Sequence, residues 1–420
     1  MQARTPGSGD SYRWYALGVL TLVYTIHAMD RFVLQVLIEP IKREFGASDA
    51  AMGFLAGLAY TVAFSIAVLP VGYLIDRFNR RNLLAGILSV WSVLTAVCGL
   101  ASSYFTLLLA RMGVGAAEAG ASPAALSMIS DYFAPRERGR AIGAYYLSTG
   151  LGIGIGMVGG GWVAAHYGWR VAFFIAGIPG LLMAAVALAT LREPRRGAAD
   201  EGADAPAQAP AVAMGPALRY IFAQPALVHL LMSIMLASFV SVAAMTWTVS
   251  FFMREHGLDL ARAGVYIGLG IAVFQSIGSL AAGYVADRYA GDVVARRALV
   301  PAAMCLATVP LGLGMAFAGD WRLAFALMCA NALLLGAWTS PAYSFALGLV
   351  PAHMRGMTMS TCQLATNLLG SGLGPLVSGW LSDAIGGPHA LARALAICFL
   401  VNLWSAAHFI LAARAARPAA

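Results

Sequence analysis

Twelve apolar runs of about 20 residues, separated by short polar breaks, restrict this 420-residue chain more than any motif does. A run of that length is what a helix needs to cross about 30 Å of hydrocarbon, where every backbone amide must be satisfied within the element itself. The runs fall at about 14–39, 51–75, 82–102, 104–131, 139–165, 170–191, 226–252, 262–286, 297–317, 322–350, 356–382 and 391–413. With 60% hydrophobic and only 11% charged residues, a water-soluble globular fold is excluded. A transmembrane β-barrel would show strands of about ten residues with strict alternation, and no such pattern occurs. The 46 glycines suit close helix packing in lipid, where small residues let backbones approach. The expected fold is an all-α membrane protein of twelve transmembrane helices.

The first run is too long for a signal-peptide core and no small-residue cleavage site follows it, so residues 1–13 read as a short cytoplasmic lead. The five cysteines (Cys98, Cys305, Cys329, Cys362, Cys398) all fall inside apolar runs without metal-ligand spacing. Neither disulfides nor zinc follow from them, and no cofactor is expected. The net charge of +8 looks basic enough for nucleic acid, but its distribution says otherwise. With the N-terminus placed inside, 18 of the 27 Lys and Arg residues fall on the inner side and 7 on the outer. Arg31 and Arg111 are the remaining pair, within the membrane. This bias orients a multi-pass protein of the inner (plasma) membrane with both termini cytoplasmic.

The one long polar stretch, rich in Ala, Pro, Gly and acids, reads as a cytoplasmic linker at 192–225. It divides a first six-helix bundle, 14–191, from a second, 226–413, which is followed by a tail at 414–420. The halves carry the same punctuation. Gly72-Tyr-Leu-Ile-Asp76-Arg77-Phe-Asn-Arg80-Arg81 follows helix two, and Gly283-Tyr-Val-Ala-Asp287-Arg288-Tyr follows helix eight. Pro135-Arg-Glu-Arg138-Gly139 follows helix four, and Pro351-Ala-His-Met-Arg355-Gly356 follows helix ten. A repeat of about half a chain in a helical membrane protein is a transporter architecture of two pseudo-symmetric bundles.

Four ionisable residues stand near mid-membrane: Asp30 and Arg31 in helix one, Arg111 and Glu118 in helix four. Such groups are expensive in hydrocarbon and face a cavity or one another. Arg111 and Glu118 are two helical turns apart, on one face and roughly 10 Å apart in height. Counting along the two helices brings Asp30 and Arg31 to a depth between them. The four form a cluster of net zero charge if both helices line one cavity. A carboxylate there can change protonation state as water, ligand or arginine approaches, which is the chemistry of proton coupling. Glu118 is the first choice for the proton carrier and Asp30 the second. Arg31 or Arg111 would offer two parallel donors to an anionic headgroup. His27, one turn before Arg31, would titrate near neutrality if it joins a relay, although a lone helical histidine is more often a packing group.

The loop Gly-x3-Asp-Arg-x2-Arg-Arg, with its degenerate second copy, resembles the signature of the major facilitator superfamily. Within that superfamily the chain is similar to the Spinster (sphingolipid and lysophospholipid transporter-like) family. Met29-Asp30-Arg31, Asn79 in the loop, and Arg111-x-Gly113-x-Gly115-x2-Glu118-Ala119 carry that likeness. The resemblance implies the major facilitator fold and a conformational latch at Gly72, Asp76, Arg77, Arg80, Arg81, Asp131 and Arg138. In it Asp76 would pack at the N-terminus of helix eleven near Met357, and Arg80 would pair with Asp131. Positive-inside anchoring around a tight turn is the plainer reading of the same residues.

The second half holds no mid-membrane charge. Trp247, Asn331, Trp338, Tyr343, Gln363 and Asn367 are its candidate substrate contacts, although each taken alone is more often an interhelical packing group. A charged wall facing an apolar, aromatic one suits an amphipathic anion. The glycine run from Gly150 to Gly161 resembles the helix-five motif of drug-efflux antiporters, with Met157 in place of its proline. No Walker sequence, nucleophile–base pair or metal cluster occurs, so the chain does not read as an enzyme. The expected activity is proton-coupled secondary transport of a lysolipid-like amphipathic anion by alternating access, by a monomer that binds substrate, protons and membrane lipid. Carriage of small organic anions or drugs is the alternative, and a non-transporting receptor or scaffold the alternative of another class.

Overall fold

Apolar runs without strand alternation satisfy their amides internally as helices. The structure, a computed structural model, describes residues 8–199, 214–290, 293–351 and 354–416, and all regular structure among them is helical. Residues 1–7 of the expected lead, 200–213 of the linker and 417–420 of the tail lie outside the described residues. The chain divides into two compact units: residues 1–40 with 62–206, and residues 41–61 with 207–420.

In the first unit α1 (Ser8–Phe45), for most of its length, packs with α3 (Leu58–Arg77), α4 (Arg80–Cys98), α5 (Tyr104–Glu118), α6 (Ala121–Tyr132), α7 (Pro135–Tyr167) and α8 (Trp169–Thr190). Its core gathers Leu17 and Leu20 of α1, Leu88 and Trp91 of α4, Ala124 and Met128 of α6, and Ala184 of α8. Small residues set the helix spacing. A Cβ on Gly177 or Gly180 of α8 would lie 2.7 Å from the Ser92 carbonyl or 2.0 Å from its hydroxyl, so α8 lies directly on α4.

The second unit holds α2 (Asp49–Ala56), α9 (Met214–Ala223), α10 (Pro225–His256), α11 (Leu260–Ala290), a short α12 (Val294–Arg297), α13 (Leu299–Phe317), α14 (Trp321–Leu335), α15 (Thr339–Gly348), α16 (Arg355–Leu364), α17 (Gly372–Ile385) and α18 (Ala390–Ala415). A π-helical turn, Ala365–Ser371, joins α16 to α17. The end of the stretch read as linker is itself helical: α9 buries Ala217 and Ile221 against Leu227, Leu230 and Cys362.

Among the described residues, ten helical stretches are long and apolar enough to cross a bilayer. The other two expected crossings, 104–131 and 356–382, are each divided into pieces too short to count alone. The first breaks at Ala119–Gly120, directly after Glu118, and a Cβ on Gly120 would meet Val71 and Ile87 at 2.3 and 2.5 Å. The second breaks at the π turn. Parts of the two halves still match. The 15-residue α5 and its continuation α6 correspond to the 15-residue α14 and its continuation α15, and the 19-residue α4 to the 19-residue α13. Large apolar side chains lie on the outside of both units, with Leu69 80% exposed, a surface stable only against lipid.

Candidate functional site

The buried charges meet in the first unit, and α7 determines where. Gly152, Gly156 and Gly160, one turn apart, form a groove in which α1 lies backbone to backbone. A Cβ on Gly152 would stand 2.5 Å from the Thr25 carbonyl, and one on Gly156 would stand 2.5 Å from the Met29 carbonyl. The glycine run is thus a seat for the very turn of α1 that carries His27, Asp30 and Arg31. Gly156→Leu is expected to push α1 off its seat, at a cost above the roughly 1–3 kcal/mol usual for overpacking because the obstacle is backbone. Gly159→Leu, where a Cβ meets nothing within 4 Å, is the matched control. Melting temperature and transport should both fall in the first variant and hold in the second.

From this seat Asp30 faces α5, where Arg111 Nη1 donates to Asp30 Oδ2 at 3.4 Å. His27 Nε2 lies 3.8 Å from Glu118 Oε2, beyond hydrogen-bond reach but at ion-pair distance. Asp30 and Glu118 are each 1% exposed and Arg111 2%. Glu118 and Thr95 complete the polar surroundings of Asp30. Arg31, one residue on, is only half-buried, and its charge acts on His27 from the edge of the group. Expectation and structure agree that Asp30, Arg111 and Glu118 come together, and His27, expected more often as a packing group, joins them. They differ in that this group is packed inside the unit, with Arg31 at its edge.

The buried group holds two carboxyls against one guanidinium. An unneutralised charge in such surroundings is costly, so a proton on a carboxyl or on His27 is the economical complement. Sequence reasoning missed the wall beside this space, to which α4 contributes Trp91 and Thr95, both buried. Their clustering on one face within an apolar run was the available signal. It also missed an aromatic stack: Tyr24 lies 5.5 Å from His27 and 4.6 Å from Tyr145, and Trp91 stands edge-on to His27 at 5.8 Å.

The loop residues form a second group in the same unit. Arg80 is buried and fully engaged. Its Nη1 donates to Asp131 and, at 2.8 Å, to Ser127 Oγ, while Nε donates to Glu193 Oε1 at 2.7 Å and Nη2 to the Pro194 carbonyl at 2.8 Å. The Arg81 amide donates to Glu193 Oε2 at 2.9 Å, and the Gly197 amide to Asp131 Oδ1 at 2.9 Å. Residues 192–197, the first part of the stretch read as linker, are therefore folded back onto the loop. Arg138 donates to the carbonyls of Ser130 and Phe133, closing the end of α6. Asp76 and Arg77 are exposed and outside the cluster; the Arg77 guanidinium lies 4.1 Å over the Tyr73 ring. Gly72 is half-buried, and a Cβ there would meet nothing within 4 Å. Asn79 caps α4 by accepting from the Asn82 amide at 3.0 Å, which gives the residue a local reason to stand in the loop.

In the second unit most of the expected contacts are engaged between helices. Trp247 Nε1 donates to the Pro375 carbonyl at 3.0 Å, Trp338 Nε1 to Ser241 Oγ at 3.1 Å, and Asn331 Nδ2 to the Thr308 carbonyl at 3.4 Å. The Tyr343 hydroxyl is 3.5 Å from Thr366 Oγ1. Gln363 is exposed, and Asn367 is half-buried within the π turn. Local π geometry frequently marks functional sites in helices.

Residues 20–299 match the profile of the Major Facilitator Superfamily. The chain is 30% identical over 391 residues to an MFS-type efflux pump of Mycolicibacterium smegmatis, covering 92% of this chain and 89% of that protein. It is 26% identical over 432 residues to protein spinster homolog 1 of Xenopus laevis, covering 96% and 81%. Among solved structures it is similar to a bacterial homolog to the human lysosomal transporter Spinster in an inward-facing and unoccupied conformation. That likeness has a TM-score of 0.85 at 26% identity and covers 96% and 97% of the two chains.

Proposed function

Since the chain belongs to the Major Facilitator Superfamily and is a multi-pass membrane protein of Spinster-like character, we propose that it is a proton-coupled secondary transporter of an amphipathic, lysolipid-like anion. The observation that carries the reading is the buried group of Asp30, Arg111, Glu118 and His27, whose charge balances with one proton. Glu118 takes and gives that proton, with Asp30 as its partner, while Arg111 holds Asp30. Arg31, half-buried beside them, binds the anionic headgroup. Gln363 and Asn367, with Tyr343 behind them, are the ligand-facing polar groups of the second unit. Trp247, Asn331 and Trp338 would act there by shaping the wall. Asp76 with Gly72 and Arg77 serves as the movable latch, on a base held by Arg80, Arg81, Asp131 and Arg138.

The chain crosses the inner membrane twelve times, with both termini cytoplasmic, as two six-helix bundles separated by the 192–225 linker. The matching lengths of α4 with α13 and of α5 with α14 support that count, and the positive-inside bias supports the orientation. It acts as a monomer and a carrier, without enzymatic chemistry.

Flux of a fluorescent lysophospholipid in proteoliposomes, with and without an imposed pH gradient, tests the reading. Gradient-driven flux is expected. A second reading, export of small organic anions or drugs, is favoured by the efflux-pump relative. It predicts no lipid flux but gradient-dependent movement of such solutes. Ligand binding without any crossing would instead make the protein a receptor.

A further inference from the structure

Two histidines far apart in sequence meet in the second unit, at the seam between α10 and α18. His229 lies one turn into α10, and His408 stands two turns before the end of α18. Their Nδ1 atoms are 3.0 Å apart, with ring centroids 5.1 Å apart and planes inclined by 44°. At this distance one neutral imidazole donates Nδ1–H to the lone pair of the other.

The helices, rather than the rings, set this approach. One turn further into the seam Ser405 Oγ donates to the Ser233 carbonyl at 2.9 Å, and both serines are fully buried. Ser233 follows His229 by four residues and Ser405 precedes His408 by three, so each serine shares a face with its histidine. On the outer side Trp404, one turn before His408, stands 6.4 Å from its ring and is 61% exposed. The histidines are half-buried, at the edge of the unit and open to its surface.

The pair offers chemistry that packing does not need. Hydrogen bonds between membrane helices contribute little, and two leucines would fill the seam with no polar group to satisfy. Two protonated rings this close repel, and the charge that acts on His408 is that of His229, so at least one ring stays neutral. Neutral imidazole is the form that ligates metals. When the shared proton moves from Nδ1 to Nε2 of the donor ring, both Nδ1 lone pairs face one point and no net proton is released. A tetrahedral zinc ion with Zn–N bonds of about 2.0–2.1 Å holds two nitrogens about 3.3 Å apart, so the rings need to part only slightly to admit it.

We propose that His229 and His408 form a divalent transition-metal site, in which zinc or nickel joins both Nδ1 atoms, water completes the coordination, and the ion ties α10 to α18. The site is independent of the substrate and of proton coupling.

The test is thermal unfolding of the full-length protein in detergent, with any affinity tag removed. The protein is stripped with EDTA and then given an excess of zinc, nickel or magnesium chloride. The native cysteines are buried, so they do not compete for the ion. Zinc and nickel should each raise the midpoint by about 2–4 °C or more, because an ion that binds only the folded state stabilises it. Magnesium, which prefers oxygen ligands, should leave it unchanged. His229→Gln and His408→Asn each remove one ligand and should abolish most of the shift. His229→Leu/His408→Leu removes both and leaves neither ring unpaired, so it keeps the test open if the single variants fold poorly. His389→Ala, at an exposed histidine paired with Glu255, should retain the shift. No shift in the parent, or an equal shift in the double variant, would overturn the proposal.

Discussion

Glu118→Gln is expected to reduce gradient-driven transport by about a hundredfold or more while leaving the protein folded, since a positioned proton-transfer group commonly contributes on that scale. The amide keeps the size of the carboxyl and resembles its protonated form, but it cannot cycle a proton. Once Glu118 is neutral, Asp30 and Arg111 remain as a balanced pair at 3.4 Å, so no bare charge is left in the interior. Melting temperature should therefore stay near that of the parent. Steps that use only the protonated state, such as exchange of labelled for unlabelled substrate, should persist. A purely packing role for the cluster predicts the opposite pairing, a lowered melting temperature with gradient-driven transport retained in whatever protein folds. Arg111→Gln separates the two further. It leaves Asp30 and Glu118 without their buried cation, so it should damage both folding and transport.

The second large effect falls on Arg80. Arg80→Ala strands Asp131 and Glu193, which share its guanidinium, and empties the hydrogen bonds to Ser127 and Pro194. Removing one partner of a buried pair costs roughly 3–5 kcal/mol. Glu193 keeps a side-chain exposure of 24%, so water recovers part of the loss and the lower end of that range applies. Arg80→Lys should rescue little, because a single ammonium cannot serve partners spread around a planar fork. Arg81→Ala is the comparison. Arg81 is half-buried and its amide, retained in alanine, makes the contact with Glu193. Tryptophan-fluorescence melting in detergent should therefore place Arg80→Ala well below Arg81→Ala, and equal midpoints would remove the cluster from the account of stability.

The helical layout was legible because hydrophobic length is a local property: each span announces itself over about 20 residues whatever it packs against. The meeting of Asp30 with Arg111 was also legible, since the seven-residue spacing of Arg111 and Glu118 fixes a face and the depth count fixes a height. What escaped depends on distant partners. Glu193 looked like part of a linker, and only the fold returns it to Arg80, 113 residues earlier. The contacts of Asp49 with Arg254 and Ser382 also escaped, because nothing in its neighbourhood indicates either. Thr95 of α4 is one small polar residue in an apolar helix, and only the fold brings it to Asp30. The breaks at Gly57 and at Ala119–Gly120 were hidden for another reason. Glycine is tolerated within membrane helices, and only the crowding of Val71 and Ile87 at Gly120 shows that a side chain is excluded there.

The glycines of α7 join these threads. Read alone, the run invites comparison with antiporters. In the fold, Gly152, Gly156 and Gly160 serve as the surface on which α1 is held, and the position of Asp30 against Arg111 follows from it. A packing feature and a chemical site are thus one construction: the close approach of two backbones places a carboxyl where it needs a proton or an arginine.

The most direct test of the central claim is proton movement itself. Proteoliposomes carrying a pH-sensitive dye in the lumen would be given a lysophospholipid without any imposed gradient, and the luminal pH followed for the parent and for Glu118→Gln. The account predicts a substrate-dependent pH change in the parent that is absent in the variant. Substrate crossing in the parent with no change in luminal pH, or an equal change in both proteins, would contradict it.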